Sequence, residues 1–178
     1  MAKFDILEDL KWRGAINQET DEEGLRKYLA EHDDLALYCG TDPTGDSLHI
    51  GHLIPFMIMK RFQMAGYHPV ILIGGGTGSI GDPSGRKTER VLQTAEQVKH
   101  NEEKLTAQMK KLFGTENFEI RNNAEWLGKL NLIDFLCDYG KFFQVNNMIN
   151  KDVVASRLEN GISFTEFTYQ ILQAIDFY

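Results

Sequence analysis

The sequence predicts an α/β fold: a Rossmann-like, doubly wound parallel sheet. Three observations predict it. "PVILIGGG", Pro69 to Gly76, is a continuous apolar run of the kind found in parallel strands buried on both faces. "LALYC", Leu35 to Cys39, reads as an earlier strand. Between them, "HIGHLIPFMIMKRFQMAG" reads as a largely buried helix ending at Gly66, which completes a right-handed strand–helix–strand crossover.

The other elements follow in order. Thr20-Asp21-Glu22-Glu23 has the spacing of a capping box and opens a helix over "GLRKYLAEH". Gly, Asp, Pro, Thr and Ser form a loop after "LALYC", and Ser47 is the expected cap of the next helix. Pro55 fits near the first turn of that helix and kinks it if placed deeper. "TGSIGDPSGRKTER" is a glycine-rich loop. Thr94 and Gln97 then suggest a second capping box, opening the charged helix "AEQVKHNEEKLTAQMKKLF". "FEIRNN" is a third strand candidate. "LNLIDFLCDYG", "FFQVNNMI" and "DVVASRLENG" are helical pieces, and Ser163 to Glu166 is a third capping box before the final helix.

Composition narrows the class. The chain has 178 residues, enough for a single domain with a proper core. With 42% apolar and 25% charged residues it reads as soluble and globular. No apolar run reaches membrane-spanning length, so no membrane partner is expected. The two cysteines, Cys39 and Cys137, have no metal spacing, which fits a reducing cytoplasm. A net charge of -7 argues against a nucleic-acid clamp. The closing "ILQAIDFY" reads as helix without a stop signal, the pattern of an excised piece.

Three stretches carry candidate chemistry. "SLHIGH", Ser47 to His52, places two histidines ten residues past a strand, at the sheet edge where ligands of open α/β sheets bind. A helix start there presents unpaired N–H groups and a positive dipole end, and Gly51 admits a flat group close to the backbone. A zinc site needs three or four ligands, and no further one stands at a matching spacing nearby. A nucleotide corner and two incidental histidines at a helix start both remain open. Gly76 to Gly81 matches G-x-G-x-x-G after a strand, but Asp82-Pro83-Ser84-Gly85 breaks the helix a dinucleotide site needs. A tight turn alone does not account for six glycines between Gly74 and Gly85. In the final helix, Tyr169, Gln173 and Asp176 fall on one polar face amid apolar neighbours. That face is either a solvent stripe or a pocket wall.

"YCGTDPTGDSLHIGHL", "LIGGGTGSIGDPSGRKTER" and "GISFTEFTYQILQAIDF", in that order, closely resemble the catalytic domain of bacterial tyrosyl-tRNA synthetases, a class I aminoacyl-tRNA synthetase family. His49-Ile50-Gly51-His52 matches one of the two class I signatures. The resemblance implies ATP-dependent activation of L-tyrosine and its transfer to tRNA(Tyr), with Mg²⁺ accompanying the ATP. It implies that Tyr38 and Asp176 hold the substrate hydroxyl, and that Asp82, Tyr169 and Gln173 hold its α-amino group. Cys39 and His52 fall at the ribose, with Gly40, Asp42, His49 and Gly51 in the same nucleotide site. Thr44 and His49 stabilise the leaving pyrophosphate, assisted by Arg86 and Arg90. Arg86 stands where many relatives carry Lys. The family implies a homodimer through "LNLIDFLCDYGKFFQVNNMI". It also implies that the second signature, the second half of the nucleotide fold and the anticodon-binding region lie outside this chain.

Overall fold

A computed structural model of the chain describes residues 4–84 and 92–178. Its contacts divide the chain into two compact units. Unit 1 comprises Met1–Thr41, Gly45–Leu72 and Glu103–Arg121, and unit 2 comprises Asp42–Thr44, Ile73–Glu102 and Asn122–Tyr178.

Unit 1 opens with α1 (Ile6–Trp12) and α2 (Glu22–Glu31). The cap of α2 is Asp21, one residue after the expected Thr20, and its carboxylate accepts from Gly24 N at 2.9 Å. This register sets Glu22 and Glu23 in the first turn, where the helix dipole favours negative charge. Then come β1 (Ala36–Thr41), α3 (Ile50–Met64) and β2 (His68–Ile73). The sheet is parallel, with order β1-β2-β3, where β3 is Glu119–Asn122. As its apolar run predicts, β2 is the central strand, with Ile71, Leu72 and Ile73 buried. Ile6, Leu7, Leu10, Leu29 and Tyr67 form a core cluster, against which Leu35, Leu37, Ile58 and Phe62 pack.

The glycine tract after β2 winds into a single turn, α4 (Gly75–Gly78), and residues 81–83 carry no regular secondary structure. No long helix continues from it, in keeping with the break at Asp82-Pro83. The charged helix α5 spans Ala95–Phe113, the predicted extent. Its capping box is reciprocal: Gln97 N donates to Thr94 Oγ1 at 3.3 Å, and Thr94 N donates to Gln97 Oε1 at 3.4 Å.

After β3 the chain of unit 2 runs through short turns. These are α6 (Ala124–Leu127), α7 (Leu132–Asp134), a π turn (Phe135–Tyr139), a 3₁₀ turn (Gly140–Phe142), α8 (Val145–Ile149) and α9 (Asp152–Ala155). The apolar pieces predicted as helices are thus broken. Leu132, Ile133, Leu136, Phe142 and Val145 stay exposed, while Phe135, Tyr139, Phe143 and Met148 of these pieces reach the core, so a short stretch at a time is held by packing. The long α10 (Phe164–Phe177) ends the chain, capped by Ser163 Oγ accepting from Glu166 N at 3.2 Å. The predicted return bond from Glu166 is replaced, because its carboxylate pairs with Arg157 at 2.8 Å, both side chains buried. Met148, Ile171 and Ile175 form the core of this unit, packed by Trp126, Leu127, Phe135, Phe143 and Phe167.

Candidate functional site

The histidine corner lies in unit 1. The structure moves the helix cap from Ser47 to His49, whose Nδ1 accepts from Gly51 N at 3.1 Å. The first-turn N–H of Gly51 is therefore satisfied by an imidazole. Gly51 leaves room for this packing: a Cβ there would stand 2.9 Å from His49 Cε1, and the ring would have to shift. The flat group lying against the Gly51 backbone is thus His49 itself. Because Nδ1 accepts, the proton of the neutral ring sits on Nε2, which is left to donate. His52 stacks on His49 with ring centroids 3.8 Å apart. Burial, and then the neighbouring His49, push the His52 pKa below its ordinary value. Leu48 N, just before the pair, donates to Gln108 Oε1 on α5 at 3.1 Å. Tyr38, Cys39 and Gly40 stand on β1, and burial raises the Cys39 thiol pKa.

Unit 2 contains a polar network built from residues that follow each strand. Asp42 follows β1, Thr77 lies in the turn after β2, and Asn123 follows β3. Tyr169 and Asp176 join from α10. Tyr169 Oη donates to Asp42 Oδ2 at 2.9 Å, and Thr77 Oγ1 donates to Asp42 Oδ1 at 2.6 Å. Asn123 Nδ2 donates to Thr77 Oγ1 at 3.0 Å and to Asp176 Oδ2 at 2.9 Å, while its Oδ1 accepts from Gly76 N at 2.8 Å. Trp126 Nε1 donates to the other Asp176 oxygen at 3.0 Å. Gly74 makes room for this network: a Cβ there would fall 2.0 Å from Asp42 Oδ1.

The electrostatics follow from the geometry. Burial, and then the carboxylates of Asp42 and Asp82, push the Tyr169 phenol far above its ordinary pKa, so it stays a protonated donor to Asp42. Its oxygen lone pairs remain acceptors. Burial also raises the Asp176 pKa, against the opposing hydrogen bonds from Asn123 and Trp126. Each Asp176 oxygen accepts one of these two bonds and keeps capacity for a further donor.

A cavity of about 450 Å³ adjoins this network within unit 2. Asp82, Tyr169 and Gln173 line it, with Phe142, Phe143 and Phe167. Three residues that the resemblance assigns to an amine thus share one cavity. Asp82 Oδ1 is also turned toward its own loop, accepting from Ser84 N at 2.8 Å. Glu166 reaches the cavity wall too, with its charge paired to Arg157.

Asp42 is assigned to the nucleotide by resemblance, and the structure bonds its carboxylate to Tyr169 and Thr77. Thr44 follows it and is exposed. Arg86 and Arg90 lie outside the described residues. Sequence reasoning missed Thr77, Asn123 and Trp126. No periodicity marks them, and the one available signal was the place of Asn123 just past a strand end. Among the described residues no group of three or more His, Cys, Asp or Glu is placed to hold a metal ion. None of their helices is long and apolar enough to cross a membrane.

The family described as tRNA synthetases class I (W and Y) matches residues 30–178. Tyrosine–tRNA ligase of Lactobacillus johnsonii is 96% identical over all 178 residues, and that of Pediococcus pentosaceus is 70% identical over 174. The chain spans 42% of the length of each. A C-terminally truncated mitochondrial tyrosyl-tRNA synthetase of Aspergillus nidulans superposes with a TM-score of 0.84 at 31% identity, covering 96% of this chain and 52% of that one. Tyrosyl-tRNA synthetase of Archaeoglobus fulgidus, complexed with L-tyrosine, shares the fold at a TM-score of 0.73 and 18% identity, over 97% of this chain and 51% of that one.

Proposed function

Because the chain belongs to the class I tRNA synthetases of the W and Y type, we propose that it is the N-terminal catalytic part of a tyrosine–tRNA ligase. In this reading residues 1–178 are one functional domain. It activates L-tyrosine with ATP to tyrosyl-adenylate, and the whole enzyme transfers the tyrosyl group to tRNA(Tyr). The observation that carries the reading is Asp176. It is a half-buried carboxylate with each oxygen already accepting one N–H, poised to accept a phenolic O–H. The resemblance assigns Tyr38 to the same hydroxyl.

At the other end of the substrate, Asp82, Gln173 and the Tyr169 oxygen supply acceptors for an ammonium group. These residues fix the amino acid so that its carboxylate oxygen attacks the α-phosphorus of ATP. The bond to the bridging oxygen breaks and pyrophosphate leaves. No side chain becomes a covalent nucleophile. Catalysis comes from orientation and from donors placed where charge develops on the leaving group. The Nε2–H of His49 and the hydroxyl of Thr44 are such donors, with Arg86 and Arg90 assisting. Cys39, Gly40, Gly51 and His52 serve the nucleotide, and Asp42 reaches it through backbone while its carboxylate orients Tyr169. Mg²⁺ accompanying the ATP would add its charge to that of the donors at the leaving group.

The enzyme acts in the cytoplasm as a homodimer. The exposed Leu132, Ile133, Leu136, Phe142 and Val145 supply apolar surface for that contact. The deciding test is tyrosine-dependent ATP–pyrophosphate exchange by this chain, with His49→Ala as a control for host enzyme. Exchange that the control abolishes is expected if this part adenylates alone. Tyrosine binding without exchange would make the chain a binding domain that needs the rest of the enzyme. Absence of both would overturn the reading.

A further inference from the structure

We propose that Asn101 and Gln93 are positioning residues for Thr44: a relay of two side-chain amides that holds the Asp42–Thr44 turn in its working conformation. The proposal rests on the ligase reading above and adds to it two residues that neither the signatures nor the amine and hydroxyl contacts include.

The first argument is an accounting of backbone groups. Pro43 has no N–H, so its carbonyl is its sole main-chain hydrogen-bonding group. That carbonyl accepts from Asn101 Nδ2 at 2.9 Å. Thr44 N donates to Asp42 O at 2.8 Å, closing a tight turn. Thr44 O accepts from Gln93 Nε2 at 2.9 Å. The relay is closed by Asn101 Nδ2 donating also to Gln93 Oε1 at 3.2 Å. Every polar main-chain group of Pro43 and Thr44 is therefore bound, and two of the three are bound by these amides. Thr44 itself remains exposed, with its backbone fixed and its side chain free to face a ligand.

The second argument comes from α5. Val98, Leu105, Met109 and Phe113 are its buried apolar residues at helical spacing, exposed by 5%, 1%, 2% and 2%. Asn101 falls on the same stripe and is 7% exposed. Packing alone asks for an apolar side chain there, and Asn is a poorer helix former than Leu. The stripe holds an amide instead, and both of its N–H groups are spent on the turn and on the residue that completes the relay. A buried polar group in an apolar seam is retained where its hydrogen bonds do something packing does not. Here they fix the residue that meets the pyrophosphate.

The test uses the full-length protein. Asn101→Leu keeps an apolar stripe and removes both donors. Gln93→Glu, at a half-buried position before α5, removes only the donor to Thr44. Both are expected to slow adenylate formation in single-turnover assays by roughly ten- to a hundredfold, the scale of a displacement near 1 Å. Tyrosine affinity should stay within about threefold of the parent, and the melting temperature of Asn101→Leu should fall somewhat, because the carbonyl of the buried Pro43 loses its donor, while that of Gln93→Glu should stay close to the parent's. In a Thr44→Ala background neither change should slow the reaction further, because their effect passes through Thr44. Parent-like rates in both variants would overturn the proposal. So would losses that multiply with that of Thr44→Ala, or losses matched by a fall in tyrosine affinity. A parent protein without tyrosine-dependent exchange would instead bring down the ligase reading, and the relay's role with it.

Discussion

Asn123 is the residue on which the polar network turns. It is fully buried, and its side chain makes three hydrogen bonds, to Gly76, Thr77 and Asp176. Asn123→Ala leaves Gly76 N without its acceptor and takes one donor each from Thr77 and Asp176, which keep their bonds to Asp42 and Trp126. Each such loss costs about 1–3 kcal/mol, so a drop of at least that size is expected in denaturant unfolding. Asp176 carries the expected specificity. Asp176→Ala should bring the kcat/KM values for tyrosine and phenylalanine closer together, because the parent site leaves polar groups unpaired when the hydroxyl is missing. Equal losses for both amino acids would make Asp176 structural only. His52 gives a pH dependence of known sign. Its folded pKa lies below the ordinary value of 6.5, so the neutral ring is the form the fold prefers. The stability this contributes is present above pH 6.5 and is lost as pH falls through the folded pKa. The melting temperature should therefore drop on acidification below that point. The drop should be smaller in His52→Asn.

At the scale of elements, α3 contains its own weak point. Pro55 stands six residues into the helix, past the first turn, with the helix continuous from Ile50 to Met64. It has no N–H for the Gly51 carbonyl, so the histidine turn is joined to the rest of the helix by one bond fewer. Pro55→Ala restores that donor and should raise the thermal stability, by at most about 3 kcal/mol. An unchanged or lower melting temperature would mean that the ring packs or rigidifies more than it costs. The capping boxes differ in a related way. Thr94 and Gln97 exchange both bonds, and among the described residues no charged partner competes for the glutamine. Glu166 cannot return its bond because a buried Arg157 holds its carboxylate. The local pattern proposes a cap, and a stronger charged partner overrides half of it.

At the scale of the molecule, the run from Leu132 to Val145 is a second consequence of short, broken turns. Such turns do not bury their own apolar side chains, and a second copy of the chain is the proposed cover. Sedimentation of the full-length protein is expected to give a dimer, and Ile133→Asp should shift it toward monomer. A monomer at high concentration in the parent would remove this assignment. The sequence by itself determined the succession α2, β1, α3, β2, α5, β3 and α10, the burial of β2, the extent of α5, and the place of the histidine pair at a helix start, but neither α1 nor the broken turns after β3. These rest on apolar periodicity and on caps, which act over a few residues and are read directly from spacing. Helical spacing placed Tyr169, Gln173 and Asp176 on one helix face but said nothing of what joins them. Only the tertiary structure decided that Asp42 bonds Tyr169, 127 residues away, that Asn123 links Thr77 to Asp176, and that Asn101 reaches Pro43. Polar side chains carry no period, and a buried donor's choice among acceptors is fixed by which chain ends the sheet gathers at its carboxyl edge.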